Sequence, residues 1–185
     1  GMVQDCQLVD INGDRYLDIV CGMEWETITA FVNQGGKSLK KKELTKEKGW
    51  WTSIIPADFD QDGDMDFFLG NLGENSKLKV GDGQTVKMYY YDFDGNDKKD
   101  QVLTYFVKGR EIPFATKMEL DKQMPFLKKE FLYADDFAKA SLEDLFSADK
   151  LQKAKVFTAN FFRNALLENR GDEGFVLQSL PDATQ

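Results

Sequence analysis

Histidine is absent from the 185 residues. That excludes a Ser-His-Asp or Cys-His nucleophile pair and any histidine-ligated zinc or iron centre. Cysteine occurs only as Cys6 and Cys21, too few for a four-cysteine zinc site or a disulfide scaffold. Basic residues are in deficit: 24 Lys plus Arg stand against 32 Asp plus Glu, giving a net charge of −8 and a pI near 4.7. Binding to phosphate backbones needs a basic surface, so nucleic acid is not an expected partner. No apolar run approaches the roughly 18–20 residues that span a bilayer, and no transmembrane segment is expected. With 42% hydrophobic and 30% charged residues, the chain is neither disordered nor membrane-embedded. Its length suits one domain or one large piece of a repeat array. Gly1-Met2 opens it without a basic and apolar leader. Glycine before methionine looks like a residue left by tag removal, so the natural chain is expected to be longer, and the missing leader says nothing about compartment.

What the sequence has in excess is Asp, Asn and Gly, and they recur in a pattern. Asp10-Ile-Asn12-Gly-Asp14-Arg-Tyr16-Leu-Asp18 precedes Ile19-Val20. Asp58-Phe-Asp60-Gln-Asp62-Gly-Asp64-Met-Asp66 precedes Phe67-Phe68, and Asp92-Phe-Asp94-Gly-Asn96-Asp-Lys98-Lys-Asp100 precedes Gln101-Val102-Leu103. The starts are about 48 and 34 residues apart, within the range of propeller blades and other repeat units. Apolar or alternating segments flank each loop, so each is expected to join two strands of a hairpin. A second element recurs as Phe31-Val-Asn33-Gln-Gly35-Gly36 and Leu167-Glu-Asn169-Arg-Gly171-Asp172, an Asn/Gly turn between outer strands.

Oxygen-bearing side chains at positions 1, 3, 5 and 9 of such a loop point to a cation. Calcium takes six to eight oxygen ligands at about 2.3–2.6 Å. A tight loop can turn positions 1, 3 and 5 inward, add a backbone carbonyl at position 7, and close the shell with a carboxylate at position 9. Without a cation, these carboxylates repel one another. The loops hold twelve of the 32 acidic residues; three divalent ions carry six positive charges and would bring −8 to about −2. The alternative is three Asp-rich turns satisfied by Asx hydrogen bonds and water, which the recurrence in register disfavours. The second loop has Asp at all five odd positions and Gly63 at position 6; Arg15 and Asp97 stand there in the others, where a left-handed turn favours glycine. An EF-hand is excluded because its position-12 Glu is replaced by Cys21, Leu69 and Leu103.

The three loops resemble FG-GAP/VCBS repeats, the blades of integrin-α-like β-propellers. Gly49-Trp50-Trp51, the Asp58 loop and Gly70-Asn71-Leu72-Gly73-Glu74-Asn75 resemble, more narrowly, VCBS-repeat proteins found beside ASPIC/UnbV domains, with cartilage acidic protein as an animal relative. The resemblance spans about residues 3–107 and 156–180. It implies a β-propeller with up to three calcium ions, held by the side chains of Asp10, Asn12, Asp14 and Asp18, of Asp58, Asp60, Asp62 and Asp66, and of Asp92, Asp94, Asn96 and Asp100. The carbonyls of Tyr16, Asp64 and Lys98 would complete the shells. It also implies a secreted or cell-surface location and brings no catalytic residues. Three or four units are fewer than the usual seven-bladed ring, so further blades of a longer parent, or self-association, are expected to cover the open edges.

The expected fold is therefore mainly β, a partial propeller of three to four antiparallel blades. Blades occupy 1–114, a helical insertion 115–155, and closing strands of the last blade 156–185. Within the insertion, Thr116-Lys-Met-Glu119 and Ser141-Leu-Glu-Asp144 have capping-box spacing, and Pro125 can open a helix. Three or four short helices are expected, as a structural cap or a partner-binding lid. Trp25, Trp50, Trp51 and Tyr89–Tyr91 can stack on sugars, but strand aromatics are more often core. Asn71 and Asn75 are more often turn residues than ligands. If Gln7 opposes Cys21, Cys6 points to the other face and both thiols stay free and largely buried, with a disulfide between them the alternative in an oxidising compartment.

The expected function is a non-enzymatic, calcium-stabilised module that binds a protein or glycan outside the cell. The alternative is a magnesium-dependent phosphatase-like hydrolase, because Asp92 and Asp94 resemble a nucleophile loop. That chemistry needs one such loop, and the chain has three. Paired-carboxylate glycoside hydrolysis is disfavoured too, since a bound cation holds carboxylates charged.

Overall fold

The computed structural model describes residues 1–81 and 83–184. It divides into two compact units, one of Gly1–Gly81 with Ala159–Gln185, the other of Asp82–Thr158. Alternating apolar and polar residues, punctuated by Asp, Asn and Gly, make the strands pair antiparallel through tight loops. No helix among the described residues is long and apolar enough to cross a membrane.

The first unit contains two sheets. One has strand order β1 (Val3–Val9), β2 (Asp18–Glu26), β3 (Thr29–Asn33), β4 (Leu39–Glu43), with the two-residue β5 (Gly49–Trp50) also on β2. The other runs β13 (Phe175–Ser179), β12 (Ala165–Asn169), β7 (Asp66–Gly70), β6 (Ser53–Ala57). Register places Val20 opposite Gln7 and Ala30, and Phe67 opposite Pro56 and Leu167. Side chains alternate across a strand, so these positions face the same way. Val20, Ala30, Ile54, Phe67, Leu69 and Leu167 join Ile28 and Trp51 in one core. Of the three tryptophans, Trp51 belongs to this core, Trp25 is buried beside it in the chain's interior and Trp50 is half-buried. Trp51 is fully buried, donates Nε1–H to the Glu26 carbonyl at 2.9 Å and stacks on Phe161 at 5.7 Å. Trp25 meets Trp50 edge-on at 4.9 Å from a left-handed backbone position, φ 66°, at a bulge in β2. Asn71 is a bracket: its side chain accepts from the Trp50 and Leu72 amides and donates to the Phe161 carbonyl.

The second unit carries the sheet β10 (Arg110–Pro113), β9 (Asp100–Val107), β8 (Val86–Tyr91), β11 (Lys155–Ala159). Between β10 and β11 lie α1 (Lys117–Gln123), α2 (Phe126–Glu130), α3 (Ala134–Lys139), α4 (Leu142–Phe146) and α5 (Ala148–Lys153). Both capping boxes form, Thr116 with Glu119 and Ser141 with Asp144, satisfying amides that a helix start leaves free. Pro125 caps α2. The helices number five rather than three or four because Ser147, at φ 55°, breaks the 142–154 stretch into α4 and α5. Leu120, Met124, Leu127, Leu142, Leu145 and Phe146 pack with Phe93 and Val102 of the sheet as a separate core.

The chain is thus mainly β, three antiparallel four-stranded sheets (the first with β5 added) and a small helical segment. Two sequence expectations meet a different arrangement. The strands expected to close the last blade divide: β11 joins β8, whereas β12 and β13 complete the sheet of β6 and β7. Adjacent strands share the same apolar pattern, so sequence alone does not say which sheet a distant pair joins. The hairpin register also differs. Gln7 opposes Val20, so Cys6 faces Cys21 directly, and Cys6 is exposed while Cys21 is buried.

Candidate metal centres

The three acidic loops share one hydrogen-bond scheme. At position 2, the amides of Ile11, Phe59 and Phe93 donate to the position-9 carboxylates Asp18, Asp66 and Asp100 at 3.1, 3.0 and 2.9 Å. At position 6, the amides of Arg15, Gly63 and Asp97 donate to the position-1 carboxylates Asp10, Asp58 and Asp92 at 2.6, 3.1 and 2.8 Å. Position 5 donates to position 3 (Asp14 to Asn12, Asp62 to Asp60, Asn96 to Asp94) at 3.1 to 3.2 Å. Position 7 donates to position 5 (Tyr16 to Asp14, Asp64 to Asp62, Lys98 to Asn96) at 2.8 to 2.9 Å. The side chains at positions 1, 3, 5 and 9 are therefore tied to the loop's own amides, and the recurrence inferred from spacing is a recurrence of structure.

Both position 4 and position 6 are left-handed in every loop. Gly13, Gln61 and Gly95 have φ of 72°, 66° and 76°, while Arg15, Gly63 and Asp97 have 71°, 97° and 64°. Each loop thus has one glycine for two such positions, and each carries one non-glycine residue there, at a cost of about 1 kcal/mol. The disadvantage expected for the first and third loops at position 6 is matched in the second by Gln61 at position 4.

Two loops bring three carboxylates together. One oxygen each from Asp58, Asp60 and Asp66 lie within 4.8 Å of one another, and the same holds for Asp92, Asp94 and Asp100. Two oxygens each about 2.4 Å from an ion lie at most about 4.8 Å apart, so both triads are the size of a cation's ligand shell. Asp10, Asp14 and Asp18 form no such group among the described residues, because Asn12 occupies position 3 and directs its amide to Asp14 Oδ2 at 3.0 Å. Position-5 Asp62 and Asn96 lie outside the triads and accept the amides of Asp64 and Lys98 at position 7, as Asp14 accepts that of Tyr16.

Titration follows the same geometry. Burial works to raise Asp10 and Asp92, yet the surrounding loop amides outweigh it and hold both below the ordinary carboxylate value. Asp60 goes the other way. The Asp62 amide lowers it, but desolvation and the charges of Asp62, Asp66 and Asp58 prevail and push it up. Asp100 is raised by burial, with the Asp94 and Asp92 charges adding. Each triad therefore carries a carboxylate that burial and its negative neighbours together make reluctant to ionise, and a bound cation relieves the repulsion. Arg170, whose charge reaches Asp60, has its guanidinium held by Glu168 at 2.7 and 3.3 Å.

The position-9 residues do more than close a shell. Asp18 and Asp66 are fully buried, and each accepts a second amide, Asn33 N at 2.6 Å and Asn169 N at 2.8 Å. The Asn33 side chain then donates to the Leu17 carbonyl and the Asn169 side chain to the Ile11 carbonyl. Sequence reasoning placed these two asparagines in turns and missed this clamp, although their matching Asn-x-Gly contexts carried the signal. In the third loop Gln123 of α1 takes the place, donating to Asp100 Oδ1 at 3.3 Å.

Residues 10–69 match the family model described as an FG-GAP-like repeat. No curated protein and no solved structure matches the chain. The matched stretch, about a third of the chain, holds the first two acidic loops and the strands between them.

Proposed function

We propose that the chain is a non-enzymatic, calcium-stabilised segment of a β-propeller, in which the three sheets are blades and the acidic loops are structural ion sites. The observation that carries this reading is the pair of carboxylate triads built on one repeated hydrogen-bond scheme. Asp58, Asp60 and Asp66 would hold one ion and Asp92, Asp94 and Asp100 another. Asp62, Asn96 and the carbonyls of Asp64 and Lys98 would complete the shells. Asp10, Asn12, Asp14, Asp18 and the Tyr16 carbonyl would form a third site, weaker because Asn12 stands at position 3 and the loop's three aspartates form no triad among the described residues. Calcium suits all-oxygen ligands in a flexible loop, whereas magnesium demands near-ideal octahedral geometry and keeps its waters. The ion would neutralise the loops and fix the hairpins.

The module's role is binding: a protein or glycan partner, outside the cell or on its surface, engaged by blade loops or the helical segment. Further blades of a longer parent, or self-association, would cover the sheet edges. The likeness to VCBS-repeat proteins of the ASPIC/UnbV and cartilage acidic protein kind supports this reading through the Asp58 loop and its Trp50-Trp51 and Asn71 flanks.

Calorimetric titration of chelator-treated protein tests the ion assignment. Calcium should bind at no fewer than two sites, with magnesium markedly weaker, and Asp60→Ala and Asp94→Ala should each remove one site. Equal binding of the two metals, or no binding, would count against it.

A further inference from the structure

Cys6 and Cys21 play no part in the ion sites. They are direct partners in the antiparallel β1–β2 ladder. Opposite residues in such a ladder have Cα atoms about 4.5 or 5.5 Å apart, depending on the type of pair. Both separations fall within the about 4.4–6.8 Å that a disulfide bridges. Opposite side chains also leave the sheet on the same face. Cys6 is an exposed residue and Cys21 is 4% exposed, so solvent reaches one member of the pair and the other is covered. From this pair the ladder runs without a break through Gln7–Val20 and Leu8–Ile19 to Val9–Asp18. A bond here would close a covalent ring around the first acidic loop, the loop without a carboxylate triad.

We propose that Cys6 and Cys21 are a cross-strand disulfide site, closed by exchange with a small disulfide of the glutathione type, which locks the first hairpin. The Cys6 thiolate attacks one sulfur of oxidised glutathione, forming a mixed disulfide and releasing one glutathione thiol. Cys21 then loses its proton to solvent and attacks the Cys6 sulfur, and the second glutathione thiol leaves. Two cysteine thiols are oxidised and one glutathione disulfide is reduced. Burial, aided by the Cys6 sulfur and the Asp5 charge, pushes the Cys21 thiol up to about 12. The second step is therefore slow, and the bond is to be sought at equilibrium.

The test incubates the whole chain with oxidised glutathione to equilibrium, unfolds it, alkylates the remaining thiols and weighs the product. The expected product is a monomer with neither cysteine alkylated and no glutathione attached, reverting on reduction. It should melt about 5 °C or more above the reduced protein. Cys6→Ser, at an exposed position, should fold and give no such species. Glutathione retained on Cys6 beside an alkylated Cys21, disulfide-linked dimers, or two alkylated thiols would overturn the site. An oxidised monomer that melts no higher than the reduced one would overturn its locking role.

Discussion

Asp66→Ala should lower the stability of the chelator-treated protein by about 2–4 kcal/mol, before any ion is considered. Asp66 is fully buried, and its two oxygens accept the Phe59 amide at 3.0 Å and the Asn169 amide at 2.8 Å. Removing it leaves two donors without partners, and a buried unsatisfied donor costs about 1–3 kcal/mol. For a chain of this size that is a fall in melting temperature of about 5–15 °C. The loss reaches across the sheet, because Asn169 belongs to β12 and Asp66 to β7. Asp60→Ala is the contrast. Asp60 is exposed and accepts one amide, from Asp62, so its loss should cost no more than about 0.5 kcal/mol without metal. Thermal melts of both variants in chelator separate the roles. If Asp66→Ala melts with the unaltered protein there, the clamp contributes nothing and Asp66 acts only as a ligand.

Position 2 of the repeat supplies the second large effect. Phe93 is fully buried, touches Phe146 of α4 at 4.8 Å between ring centres and Tyr91 at 5.6 Å, and its carbonyl accepts from Lys150 of α5. Phe59, at the same position of the second loop, is 47% exposed. Truncating a buried phenylalanine costs about 3–5 kcal/mol, through lost transfer energy and the cavity left behind. Phe93→Ala should therefore loosen all five helices, seen as rapid proteolysis within 117–153. Phe59→Ala should stay within about 0.5 kcal/mol of the parent. Helices as protected in Phe93→Ala as in the parent would show that they do not depend on the third loop. The packing behind this prediction is a shared core: α1, α2 and α4 supply Leu120, Leu127 and Leu145 to the cluster that Phe93 and Val102 enter.

Much of this was legible in the residues. Odd-numbered oxygen side chains at fixed spacing located the three loops, and alternation around them located the flanking strands. Thr116–Glu119 and Ser141–Asp144 announced their helix starts because a capping box is a local device, complete within four residues. What was hidden was long-range. Nothing in Ala165–Asn169 says that it pairs with β7 rather than with strands nearer in sequence, since Leu166 and Leu167 would suit any sheet. The register of β1 against β2 was missed by one residue, and in a ladder of period two that shift decides whether Cys6 faces Cys21 or the opposite side. The double duty of Asp66 was hidden for the same reason, because its second partner lies 103 residues away.

The central claim is that a cation holds the acidic loops, and a thermal melt tests it most directly. The protein is stripped with chelator, then melted alone, with millimolar calcium, and with millimolar magnesium. One site filled at about 100 times its dissociation constant adds roughly 2.7 kcal/mol, so two triads should raise the melting temperature by about 10 °C or more in calcium. Magnesium should give a small fraction of that. An unchanged melt in calcium would contradict the account and leave the loops as turns satisfied by their own amides.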